Sequence, residues 1–157
     1  MFDPQVGLRH GVGIETQLEA MQSGTRAGAQ DFGVEAQWIM NFQRDRSAEE
    51  ALDILDAVRP YKDQIAGVGL DNPERPNFPD IFAGVFLAAK EDGYRLTSHC
   101  DVHIPNSIQH IRGCIEILGV ERIDHGLNAL EDDSVVQQLV DQNIPLTGCP
   151  TRYAFQS

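Results

Sequence analysis

The sequence predicts an α/β protein: part of a (β/α)8 TIM-type barrel, with parallel strands alternating with helices. Three observations carry this. Five short apolar runs alternate with amphipathic segments along the chain, and strands joined by helices lie parallel in one sheet. Each run ends in polar residues where it leaves the sheet, the side on which barrel sites are built. The Gly-x-Gly-x-x-Gly of a dinucleotide-binding open sheet does not follow the first run. An eight-stranded barrel takes roughly 250 residues. A chain of 157 residues is therefore expected to be a single partial-barrel domain over 1–157, truncated at both ends.

Taken in order, Met1 to Val12 opens on Phe2-Asp3-Pro4-Gln5, which reads as the exit of a strand. Glu15 to Gln30 predicts a helix with Leu18, Met21 and Ala29 inward, weakened by Gly24 and Gly28. Val34 to Phe42 is rich in strand formers and ends in Gln43-Arg44-Asp45-Arg46. Ser47 with Glu50 three residues on is a capping box for a helix burying Leu52, Leu55 and Val58, which stops before Pro60. Ile65 to Leu70 is a short buried strand, followed by Asp71-Asn72-Pro73-Glu74. Phe78 to Glu91 predicts a helix with Ile81, Phe82, Val85, Phe86 and Ala89 inward, stopped by Gly93. The strand from Tyr94, a helix over Asn106 to Leu118 and the strand at Ile123 follow. Asp133 to Gln142 is a further helix carrying Val135, Val136, Leu139 and Val140, and Ile144 to Gly148 is the last strand, tipped by Cys149-Pro150-Thr151.

With 41% hydrophobic and 23% charged residues the composition is that of a globular protein. A formal net charge of -12 argues against nucleic acid or an anionic membrane surface as partner. No apolar run reaches membrane-spanning length and no basic-then-apolar leader opens the chain. The 3 cysteines, Cys100, Cys114 and Cys149, form no Cys-x-x-Cys pair, so a reducing, cytoplasmic setting is expected.

Chemistry concentrates between Tyr94 and Asn128. Consecutive parallel strands put their carboxyl ends on one side, so His99 and His125 are expected to converge there. Alternation along the strand sets His99, Asp101 and His103 on one face and Cys100 and Val102 on the other. Imidazole and carboxylate together on a strand edge bind a divalent metal or move a proton. Asp124, next to His125, is expected to satisfy backbone or an arginine. Asp71 and Glu74, past another strand tip, stand where substrate would reach them, or in a solvated turn. His10 and His110 read as a loop and a helix-surface residue, and Cys149 as a small buried residue rather than a nucleophile.

The series Ser98-His99-Cys100-Asp101, Arg122-Ile123-Asp124-His125-Gly126 and Cys149-Pro150-Thr151 on successive strands resembles the adenosine and adenine deaminase family of metal-dependent hydrolases. That family carries T-x-H-A-G-E, R-I-G-H-G and C-P-x-S-N there. Phe2-Asp3-Pro4-Gln5 and the run from Gly67 to Glu74 extend the resemblance over essentially the whole chain. The resemblance implies a barrel with one Zn²⁺ at the strand ends, which replaces the 6-amino group of a purine by oxygen. By position, His99 matches a zinc ligand and His125 the histidine that orients or deprotonates the zinc-bound water. The position of the proton-donating Glu is Val102 here, with Asp101 one residue earlier as the substitute. Asn72 stands where the family has a purine-contacting Gly, and Arg152-Tyr153 replace its Ser-Asn. The family's His-x-His and Asp-Asp, which complete the metal site, have no counterpart in this sequence, so the chain alone is expected to bind zinc weakly and to show no turnover. Two other readings fit the same residues: a metal-dependent amidohydrolase acting on a pterin or cyclic amide, and a catalytically dead deaminase-like binding protein.

Overall fold

The computed structural model describes residues 1–74, 78–100 and 104–149. Five strands form one parallel sheet: β1 (Trp38–Gln43), β2 (Ile65–Asp71), β3 (Arg95–Cys100), β4 (Arg122–His125) and β5 (Leu146–Thr147). Their spatial order is their chain order, with no point at which the order reverses. A doubly wound open sheet has such a switch point, and a barrel does not. Phe2 bridges Met40 in parallel on the outer edge of β1, so the first residues occupy the place of a preceding strand's end.

Helices α1 (Pro4–Arg9), α2 (Ile14–Phe32), α3 (Ala48–Val58), α4 (Ala83–Glu91), α5 (Ser107–Gly113) and α6 (Asp133–Asp141) fill the intervals, with short 3-10 turns at Arg59–Gln64, Pro79–Phe82 and Leu127–Glu131. Met40, Phe42, Val68, Leu70, Leu96 and Ile123 form the apolar side of the sheet, packed in one cluster with Leu55, Val58, Val85, Phe86, Ile111 and Ile115. Burying such side chains stabilises by about 1.5–3 kcal/mol each, before the entropy of ordering them.

Several local expectations shift. In α3 the buried stripe is Ala51, Ile54, Leu55 and Val58, while Leu52 is exposed; positions separated by three, four and seven share a helical face, and Leu52 falls off it. Across the 3-10 turn at Pro79–Phe82 and α4 the stripe is Phe82, Val85, Phe86 and Ala89, with Ile81 exposed. Helix α2 continues to Phe32 through both glycines but buries only Leu18, and Ala29 faces solvent. The segment expected as one helix over 106–118 is α5 followed by a wider, π-type turn at Cys114–Leu118. No helix among the described residues is long and apolar enough to cross a membrane.

Candidate active site

The carboxyl ends of β1 to β5 carry a continuous polar face. Register places Asn41 opposite Gly69, Gln43 opposite Asp71, His99 opposite Asp124 and Asp124 opposite Thr147. Side chains tie the strands together there: Asn41 donates to Asp71 at 2.9 Å, Thr97 donates to Asp124 at 2.8 Å, and Thr147 donates to the other Asp124 oxygen. Gly69 lies within this layer because a Cβ would fall 2.2 Å from Asn41 Oδ1 and 2.9 Å from a Thr97 methyl carbon.

His99 and His125 come together at this rim, with ring centroids 5.2 Å apart and planes inclined by 52°. Strand geometry alone would not bring them there. The register partner of His99 is Asp124, and that of His125 is Cys100, which is buried on the helix side. An extended His125 would therefore point with Cys100, away from His99. The backbone prevents this: His125 has φ 71° and Gly126 φ 68°, both left-handed. Such a conformation is uncommon for a residue with a side chain, and it turns the imidazole out of the strand's alternation. Gly126 serves the turn doubly, since a Cβ there would lie 2.8 Å from Ile123.

Burial holds the His99 imidazole below its ordinary range, with the Asp124 carboxylate opposing and His125 reinforcing the shift. The ring is neutral at physiological pH, the form that ligates a metal or accepts a proton. Its Nδ1 is buried and has no hydrogen-bond partner among the described residues. An orphaned imidazole nitrogen beside a second histidine fits a metal ligand better than a packed core histidine, whose buried polar atoms are satisfied. The described residues contain no cluster of three or more metal-ligating side chains, and a catalytic zinc takes about three protein ligands, so His99 by itself would not complete such a site. Asp124 would be raised by burial alone, but hydrogen bonds from Thr147 and Thr97 and the Arg122 guanidinium at 3.2 Å hold it below the carboxylate range. It stays ionised beneath the histidines, and its bond to Arg122 follows the sequence reading.

Asp71 sits half-buried on the same polar face. Burial, the Asp3 carboxylate and a hydrogen bond with Asp3 push it up to about 7, with Asn41 and Arg44 opposing. Asn72 is exposed, has φ 69° and donates to Asp45 at 2.9 Å; among the described contacts it does not reach the histidines. Asp101 lies outside the described residues, as do His103, Val102, Arg152 and Tyr153.

Three readings of the sequence need correction, those of Glu74, His110 and Cys149. Glu74 is not in a solvated turn: it is 3% exposed, with Arg44 Nη1 at 3.6 Å. His110, expected on the surface of its helix, is 2% exposed, with Nδ1 2.9 Å from the same Glu74 oxygen. Arg44 itself was passed over as part of a polar run. Its signal was parity: Met40, Phe42 and Arg44 alternate onto the apolar side of β1. The three cysteines are unpaired as expected, although Cys100 and Cys114 bring their sulfurs to 3.6 Å; Cys149, expected to be buried, is exposed, because it lies past the end of the two-residue β5. Open clefts of about 360 and 440 Å³ lie along the amino-terminal half of the sheet, around Gln37, Ala66 and Arg95. They are away from the histidines and hold none of the chemistry.

A parallel sheet wound in chain order, with two imidazoles at its carboxyl rim, is part of a (β/α) barrel with its polar site side at the strand ends. The model of the adenosine deaminase family matches residues 1–154. The chain belongs to that family. It is 44% identical over 149 residues to an uncharacterised deaminase of Schizosaccharomyces pombe, covering 95% of this chain and 44% of that protein. Adenine deaminase of Streptomyces coelicolor is 42% identical over 149 residues, covering 95% and 43%. Among solved structures, adenine deaminase from Arthrobacter aurescens superposes with a TM-score of 0.87 at 38% identity, over 94% of this chain and 45% of that one. An amidohydrolase from Burkholderia ambifaria with bound Zn superposes with a TM-score of 0.89 at 27% identity, over 96% and 42%. The chain thus spans less than half the length of these relatives.

Proposed function

We propose that this chain, within a barrel completed to the length of its relatives, carries out zinc-dependent hydrolytic deamination of an adenine-type purine: adenine, adenosine or an N6-substituted adenine. The observation that carries the reading is the His99 imidazole facing His125 at 5.2 Å, with its buried Nδ1 unpartnered among the described residues while the ring also bonds the Leu70 backbone. Relatives named adenine deaminase and a structural neighbour holding Zn support it.

His99 would hold the metal through its deprotonated ring nitrogen. Zinc, when bound, supplies a water acidified toward neutral pH. His125, swung to the same rim, orients the attacking water and accepts its proton. Asp101, one residue before the position of the family's proton donor, delivers a proton to the purine ring nitrogen beside the attacked carbon. Oxygen takes the place of the amino group, which leaves as ammonia. Asn72 and Asp71, at the tip of β2, border the place of the base. The substrate is a small molecule, and the unpaired cysteines suit a cytoplasmic setting.

The test is ammonia release by the full-length protein from adenine, adenosine, N6-methyladenine, a pterin and a cyclic amide, before and after metal removal. Zinc-restorable release from an adenine-type base is expected. Release only from the pterin or cyclic amide, or from none, contradicts the proposal. Asp101→Asn is expected to lower turnover by about 10²–10⁴-fold, and undiminished turnover excludes Asp101 as the donor.

A further inference from the structure

The ladder between β2 and β3 runs over Gly67–Arg95 and Val68–Leu96. Two residues further along each strand, toward the rim, another group joins them. Arg44, fully buried, donates from Nη2 to the Leu70 carbonyl at 3.3 Å, to Ser98 Oγ at 3.0 Å and to the His99 carbonyl at 2.6 Å. A guanidinium rooted just beyond β1 thus bridges the backbone of β2 and β3 where the ladder does not. Its other side meets Glu74, with Nη1 at 3.6 Å, and His110 closes on the same carboxylate from α5 at 2.9 Å. Phe78 lies over His110 with ring centroids 4.5 Å apart.

Stability alone does not account for this arrangement. Burying a guanidinium and a carboxylate costs several kcal/mol for each ion, and well-packed apolar residues of like volume are as stabilising or more so. What apolar residues lack is a planar fork that fixes carbonyl groups in place. The shortest of the three hydrogen bonds falls on His99, the one residue of β3 assigned to the metal.

We propose that Arg44 is a positioning residue for His99, clamping its carbonyl against β2 so that the imidazole is held at the rim before any metal arrives. The inference rests on the reading of His99 as a metal ligand. Groups that orient a ligand from behind typically change metal affinity or activity by about 10–100-fold when lost. Lysine keeps the charge toward Glu74 but not the fork, and removing both charges together leaves no uncompensated ion.

The experiment uses the full-length protein with Arg44→Lys and with the pair Arg44→Met and Glu74→Gln. Zinc affinity is read by chelator competition on folded protein, and amide exchange at Gly126, whose N–H bonds the Cys100 carbonyl at 2.9 Å, is read in the metal-free state. Both variants are expected to stay folded, to bind zinc about 10–100-fold more weakly, and to exchange the Gly126 amide at least about tenfold faster. Unchanged affinity and exchange, or loss of the folded state in both variants, overturns the proposal and leaves Arg44 a role in the fold alone. If the parent binds no zinc, the reading of His99 fails instead, while the exchange rates still decide whether Arg44 holds the strand tip.

Discussion

At the scale of single residues, environment decides which polar groups do chemistry. His99 was legible because a histidine at the end of an apolar run, with another at the end of the next run, has few structural uses. The contact of His125 with His99 depended on something the residue letters do not carry. Alternation alone sends it to the helix side with Cys100, and only the left-handed φ of 71° brings it back. Arg44 was passed over, and the solvated-turn reading of Glu74 and the surface reading of His110 failed, for a related reason: charged and imidazole groups are exposed by default, and their burial follows from partners on three different elements. Asp71 gives a prediction at this scale. Its carboxyl is raised to about 7 in the folded protein from an ordinary value of 3.8, so folding favours its protonated form. The stability this contributes is complete below the unfolded value and is lost as pH rises through about 7. Asp71→Asn mimics the protonated acid. It is expected to raise the thermal midpoint at pH 8 and to leave it nearly unchanged near pH 4, measured by thermal melts at both values; equal effects at the two pH values would contradict the shift.

At the scale of elements, the alternation of strands and helices was readable throughout, because turn residues and apolar runs are local signals. Boundaries moved: β1 begins at Trp38 instead of Val34, and β5 is two residues long. Pairing with neighbours, not intrinsic preference, sets where a strand starts and stops. The helix stripes slipped by a residue where several apolar side chains crowd one turn, as at Leu52 and Ile81. The start of α3 was fully legible: Ser47 Oγ accepts the Glu50 amide at 3.1 Å. Ser47→Ala is expected to cost about 1 kcal/mol, read as a lower midpoint in urea unfolding with an unchanged slope. An unaltered midpoint would mean that the cap contributes nothing to this helix.

At the scale of the whole molecule, five strands in chain order present one polar rim, and the first residues take the place of a preceding strand's end. The fold was legible because order and parallelism follow from connection rules. A complete ligand set was not, because the described residues hold no cluster of three or more metal-ligating side chains, while a catalytic zinc takes about three. The chain alone is accordingly expected to bind zinc weakly and to release no ammonia from adenine. The most direct test of the central claim, that the two histidines meet at the rim in different roles, is to measure zinc content and ammonia release together in the full-length protein carrying His99→Ala or His125→Asn. Asparagine is chosen because it tolerates the left-handed backbone. His99→Ala is expected to lose both metal and turnover, and His125→Asn to retain the metal while turnover falls by about 10²-fold or more. Full metal content and activity in the His99 variant, or undiminished turnover in the His125 variant, would contradict the account.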